Sequence, residues 1–296
     1  MLVPDQVRKS VLFIGTKENG KFRPRATAFI VHYQDQGYDS LQFVTAEHAI
    51  SGLITKGHKI YGRFNLIGGD VLEIPIDNDT WIFYPKDDPL SDVAVCPFRP
   101  TTTTDTGETV TVEYQSISVN GAKSIAATEE IIKFNNIGVG EEIFIVGLFR
   151  SHYGHERNFP IIRVGNIAAM REEPVYTEYA GYIDAYLVEA LSISGLSGSP
   201  VFVSMPPFRI INHAVTMTEG PQYYLLGLMH GHFDIKRLNE DTAVDDETQT
   251  TRGINTGIGI VIPVEKIIET IEHPDLVEIR SRLIKEHSAN HGAVPD

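Results

Sequence analysis

The sequence predicts an all-β protein with a helical C-terminus. Three observations point there. Short segments rich in β-branched and aromatic residues recur along most of the chain. Small turn segments separate them, and no long helices alternate with them. Apolar residues at helical spacing stand at the end of the chain. Regularly spaced short strands of this kind fit barrels rather than a layered α/β sheet.

Taken in order, Ser10–Gly15, Ala26–His32 and Ser40–Thr45 read as strands, with turns at Glu18–Gly20 and Asp35–Gly37. Lys59–Asn65, Asp70–Pro75 and Asp92–Cys96 add three more and complete a first small barrel near residue 100. Thr101–Gly107 is polar and of low complexity, and reads as an exposed interbarrel linker or simply a loop, the linker being preferred. Glu142–Gly147, Ile161–Ala169, Ala185–Val188, Pro200–Val203, Tyr223–Met229 and Gly257–Ile262 supply the strands of a second barrel. Phe233–Arg252 is acidic and polar and reads as a mobile surface loop. Val264–Ile271 has helical spacing, Pro274 interrupts it, and Asp275–His287 forms a second amphipathic run.

Composition narrows the function classes. The chain of 296 residues is 42% hydrophobic, enough for one large domain or two small ones with real cores. A net charge of −14 argues against nucleic acid or an anionic membrane as the main partner. No apolar run approaches the roughly 20 residues that cross a bilayer. The first ten residues lack a signal-peptide core, and the single cysteine, Cys96, excludes an intramolecular disulfide. Both features lead to the expectation of a cytoplasmic protein. Oligomeric state is left open.

Three stretches carry the chemistry. Gly195-Leu-Ser197-Gly198-Ser199-Pro200 puts a serine on a tight, glycine-flanked turn before an apolar strand. In Phe43-Val-Thr-Ala-Glu-His48 a strand stops and a histidine follows on a short helical turn. Leu90-Ser-Asp92-Val-Ala-Val places an aspartate at the mouth of a buried run. A serine hydroxyl is a poor nucleophile near neutral pH, so it needs a base, and the base needs an orienting group. Histidine, with an ordinary pKa of about 6.5, suits the base. Each residue has a plainer reading. A lone histidine at a strand end is more often structural, and Asp92 could cap a turn. Asp87 and Asp88 compete with Asp92, and Ser192, Ser194 and Ser199 compete with Ser197. Asp92 is preferred because Val93–Val95 would bury its base. Ser197 is preferred for the glycines on either side of it.

The order His48, Asp92, Ser197 resembles that of the trypsin/chymotrypsin-like serine peptidases, especially their disulfide-free bacterial branch, which includes the HtrA (Do) proteases. Thr45-Ala46-Glu47-His48, Asp92-Val93-Ala94-Val95 and Gly195–Pro200 look like the family's three motifs, with Ser199 where a second glycine is commoner. Arg163–Ala168 and Gly257–Pro263 resemble a strand of its second barrel and its last strand. The likeness spans roughly residues 8 to 272. It implies two six-stranded antiparallel β-barrels in the chymotrypsin-like arrangement, with a C-terminal helix. Residues 1–105 would carry His48 and Asp92, and residues 106–262 would carry Ser197. Residues 263–287 would be helical and 288–296 a disordered tail.

The resemblance implies a serine endopeptidase acting through an acyl-enzyme intermediate on a peptide or protein, with no cofactor and no metal. The backbone N–H groups of Gly195 and Ser197 would form the oxyanion hole. Leu191 and Ser192 would line the specificity pocket, and His230 and His232 would either stand at its wall or simply be polar residues that end a strand. Leu191 stands where trypsin-type enzymes carry an aspartate, so uncharged or acidic side chains are expected in the pocket. Leu196 replaces the aspartate that pairs with a new N-terminus in secreted relatives, so no N-terminal processing is expected. Two other functions compete. A serine esterase of the α/β-hydrolase type would place its aspartate and histidine after the serine, with glycine rather than Ser199 two positions on. A peptide-binding module that has lost turnover would not need all three triad residues. His152 and His155 lack a third metal ligand, and Cys96 reads as a buried apolar residue rather than a nucleophile.

Overall fold

A computed structural model describes residues 2–84, 91–103, 107–190, 195–211, 214–217, 222–235 and 254–291. The N-terminal half begins with helix α1 (Asp5–Lys9), followed by β1 (Val11–Glu18), β2 (Lys21–Asp35) and β3 (Tyr38–Thr45). Asn19 and Gly20 (φ 50° and 74°) and then Gln36 and Gly37 (φ 49° and 81°) turn these strands tightly back on themselves. Positive φ at both central residues matches the twist of the strands they join. Helix α2 (Glu47–Thr55) then leads to β4 (Ile60–Asn65), β5 (Val71–Ile76), β6 (Ile82–Phe83) and β7 (Ala94–Phe98). The sheet order is β5-β4-β1-β2-β3-β7-β6.

Hairpin β8 (Thr101–Thr103) and β9 (Thr109–Thr111) follows, and then β10 (Ile117–Ser118), which pairs parallel with β2 as the sheet's eighth strand. The expected linker at Thr101–Gly107 therefore begins inside a hairpin, because its threonines suit paired strands. The N-terminal sheet keeps the chain beyond the boundary expected at residue 105. The resemblance implies two six-stranded barrels. Among the described residues this half is an eight-stranded sheet that runs openly from β5 to β6. It still curls, since Ile76 of β5 and Ala94 and Cys96 of β7 share one core with Leu12, Ile30 and Phe43.

The C-terminal half does close. Its strands are β11 (Glu142–Gly147), β12 (Ile161–Ala169), β13 (Val175–Thr177), β14 (Gly181–Ile183), β15 (Tyr186–Glu189), β16 (Pro200–Ser204), β17 (Phe208–Ile211), β18 (Ala214–Met217), β19 (Tyr223–Ile235) and β20 (Ile254–Pro263), with α3 (Glu129–Phe134) before them. Six of them form the barrel β11-β12-β15-β20-β19-β16, and β13–β14 and β17–β18 are separate hairpins. Phe233–Ile235 belong to β19, and most of the expected loop after them lies outside the described residues.

Strand periodicity explains how the halves join. Ile143 and Ile145 of β11 face the barrel interior, while Phe144 and Val146 face a second core. Leu12 and Ile14 of β1 face the N-terminal core, while Val11 and Phe13 face that same second core. Side chains alternate between faces, so strands buried on both faces read as unbroken apolar runs. The shared core takes Phe202, Leu225 and Val264, Ile267 and Ile271 of helix α4 (Val264–Ile271). Helix α5 (Pro274–His291) starts at Pro274, where a missing N–H costs nothing. Residues 288–291 continue it rather than opening a tail, and 292–296 lie outside the described residues. Among the described residues, no helix is long and apolar enough to cross a membrane.

Candidate active site

The N-terminus of α2 explains how His48 is held. Ala46 at its cap has no side-chain acceptor to offer the first turn. Asp92, just ahead of β7, supplies one from across the sheet: its Oδ1 accepts the His48 backbone N–H at 2.8 Å. Its Oδ2 accepts from His48 Nδ1 at 2.7 Å. Asp92 is fully buried, whereas the His48 side chain is 26% exposed. A helix N-terminus carries partial positive charge, which favours the ionised carboxylate. Burial works to raise the Asp92 pKa, but hydrogen bonds from His230 and His48 outweigh it and hold the group well below the usual carboxylate range. Burial works to lower the His48 pKa, but the hydrogen bond and charge of Asp92 outweigh it and raise it above the ordinary value.

The serine turn is bolted to the same place by Thr27 on β2, which is fully buried. The Thr27 N–H donates to the Ser197 carbonyl at 3.1 Å. Its hydroxyl donates to the Gly195 carbonyl and accepts the Leu148 N–H, both at 2.9 Å, and its carbonyl accepts the Thr45 hydroxyl at 2.7 Å. Gly198 (φ 78°) nestles against this knot; a Cβ there would collide with Thr45 Oγ1 and the Thr27 carbonyl. Gly195 also has positive φ, at 107°. Both glycines are therefore demanded by backbone geometry. Ser197 is half-buried and Ser199 fully buried, so of the two only Ser197 is exposed to solvent. Among the described residues, the Ser197 hydroxyl makes no hydrogen bond to the His48 ring. Likewise, no acceptor among the described residues meets the Gly195 or Ser197 N–H.

His230 stands elsewhere than expected. Its ring is buried and turned onto Asp92, with Nδ1 2.5 Å from Oδ2, instead of facing a substrate pocket. A buried carboxylate with an open lone pair is a stronger draw for an imidazole N–H than solvent at a strand edge. His232 is half-buried on the same strand. Leu191, Ser192, Ser194, Asp87 and Asp88 lie outside the described residues. Tyr179, in the turn of the β13–β14 hairpin, was not singled out by any motif. Its ring meets that of His48 edge to face at 5.4 Å, and its hydroxyl lies 2.9 Å from Ser51 Oγ. A tyrosine in a short hairpin carries no pattern that reveals this contact.

Ligand atoms of His48, Asp92 and His230 lie within 4.8 Å of one another, which raises a metal site. Bonds of about 2.0–2.1 Å in a tetrahedral zinc site would separate the ligand atoms by about 3.3 Å. The observed 2.7 and 2.5 Å are hydrogen-bond separations. Among the described residues, His152 and His155 are not part of any group of three or more possible ligands. Burial pushes the Cys96 thiol up to about 11, which suits a packed residue and not a nucleophile.

No protein-family model matches the chain, and no curated protein does. Among solved structures, Deg5 is similar over 89% of this chain and 87% of its own, at 14% identity and a TM-score of 0.48. The Rv3671c protease in its inactive form is similar over 90% of this chain and 89% of its own, at 15% identity and 0.40. The HtrA-type protease AlgW with a decapeptide is similar over 90% of this chain and 66% of its own, at 15% identity and 0.42. At such values no residue role passes from them to this chain. The architecture rests on its own strand pairing: one closed six-stranded barrel beside a curled eight-stranded sheet, with His48, Asp92 and the serine turn where the two halves meet.

Proposed function

We propose that the chain is a serine endopeptidase of the trypsin-like, HtrA-related kind. One observation carries the reading. A buried carboxylate grips a half-exposed histidine by both its backbone N–H and its Nδ1, beside a glycine-flanked serine turn tied to β2 of the same sheet. Asp92 keeps the His48 proton on Nδ1, which leaves Nε2 as the base. His48 takes the Ser197 proton as Oγ attacks the peptide carbonyl. The Gly195 and Ser197 N–H groups receive the oxyanion, each such donor contributing about 2.7–4 kcal/mol to lowering the barrier. His48 then hands its proton to the leaving amine, and water repeats the sequence on the acyl-enzyme. The substrate is a peptide or protein.

The test is a peptide-library digest read by mass spectrometry, run beside labelling with a serine-reactive phosphonate. The parent chain should cleave peptides and carry the label on Ser197. Ser197→Ala should lose both while keeping its circular dichroism spectrum. Turnover by Ser197→Ala within tenfold of the parent would sink the assignment.

A further inference from the structure

Asp92 serves two histidines. Its Oδ1 takes the His48 backbone N–H, and its Oδ2 takes both His48 Nδ1 at 2.7 Å and His230 Nδ1 at 2.5 Å. The carboxylate is fully buried, so these donors are what replaces its water. Both bonds need the proton on Nδ1, so each neutral ring keeps its lone pair on Nε2. The rings stand edge to face with centroids 5.3 Å apart. Tyr179 flanks both, at 5.4 Å from His48 and 6.5 Å from His230. His230 reaches Asp92 from the barrel side. Its chain neighbour Met229 donates its N–H to the Ser199 carbonyl and accepts the Gly198 N–H, each at 2.8 Å. One strand therefore holds the serine turn with its backbone and Asp92 with the next side chain.

We propose that His230 is a positioning residue for the triad, bridging from the strand that holds the serine turn to the Asp92 carboxylate and so fixing the direction in which His48 faces Ser197. This rests on the peptidase reading. The ionisable groups around the pair are Asp92, His48, Tyr179 and Glu47, whose charge acts on His48 and Tyr179. Without His230, the Asp92 charge acts on His48 alone, and the acid limb of activity moves to higher pH.

The experiment compares kcat, KM and the pH profile of the full chain with those of His230→Leu and His230→Asn. Asparagine keeps an N–H donor near the place of Nδ1; leucine does not. The leucine variant should lose roughly 10²-fold in kcat, the scale of a misplaced catalytic group. Its KM should stay within about twofold and its acid limb should rise, while the asparagine variant recovers most of kcat. Parent-like kcat with an unmoved limb in His230→Leu overturns the proposal, as does an asparagine variant no better than leucine. Proton NMR of the substrate-free parent provides a check that needs neither folding of a variant nor turnover. Two strongly downfield Nδ1 protons are expected, and fewer than two overturns the shared carboxylate. A parent that cleaves no peptide and takes no phosphonate label, yet shows both protons, refutes the peptidase reading and leaves the two histidines as a structural pair.

Discussion

Asp92 joins two tasks in one side chain. It completes the first turn of α2 and orients the His48 ring. Asp92→Asn should keep much of the packing but reverse the hydrogen-bond polarity toward Nδ1. We expect a loss of roughly 10⁴-fold in kcat, the size found for the same change in a well-characterised triad. Steady-state kinetics check it, and a loss below tenfold would remove Asp92 from the mechanism. The same carboxylate governs acid stability. Its folded pKa lies below the unfolded value of about 3.9. Its contribution is therefore complete above that value and disappears as the pH falls through the lower folded one. Urea midpoints from pH 6 down to pH 2 should drop more in the parent than in Asp92→Asn across this window.

Strand β2 acts as the anchor of the serine turn through Thr27. Four hydrogen bonds converge on this buried residue, and two of them use its hydroxyl. Thr27→Val preserves shape but leaves the Gly195 carbonyl and the Leu148 N–H without partners. Each buried unpaired group costs about 1–3 kcal/mol. The valine variant should be destabilised on that scale and should label more slowly with phosphonate, because the Gly195 peptide loses its tether. Thr27→Ser keeps the hydroxyl and should restore the labelling rate. Equal labelling by parent and Thr27→Val would show that the turn holds itself. Within the turn, Leu196 is fully buried in the barrel core. An apolar anchor there shapes the loop by packing, where a charge would be unpaired.

The two halves share a core, so the molecule should melt as one unit. Phe144 and Phe202 stack at 5.0 Å in that core, and α4 packs Val264, Ile267 and Ile271 into it. Phe202→Ala should cost about 3–5 kcal/mol, the usual range for a buried aromatic, and calorimetry should still show a single transition. Two separated transitions would mean that each half holds its own fold without the shared core. The site lies where the halves meet, so loosening this core should also slow catalysis without touching a catalytic atom.

Strand runs, tight turns and the helical end were legible in the residues themselves. Local propensity and period reveal β1 to β5, β11, β12 and α4 within a few residues. The order of His48, Asp92 and Ser197 was legible as well, because glycine at a positive φ and an apolar run behind an aspartate are local signals. The closed second barrel follows the family resemblance, but the open first sheet was not legible. A barrel and a curled open sheet are built from the same alternating strands, and the difference lies in edge pairing between segments far apart in the chain. Hairpin β8–β9 looked like a linker because threonines are polar, although they pair well. His230 and Tyr179 were beyond the reach of sequence for the same reason. Asp92 lies 138 residues from His230, and nothing local to either residue marks their meeting. Folding brings two imidazoles to one buried carboxylate because that charge, once removed from water, is stable only where donors surround it.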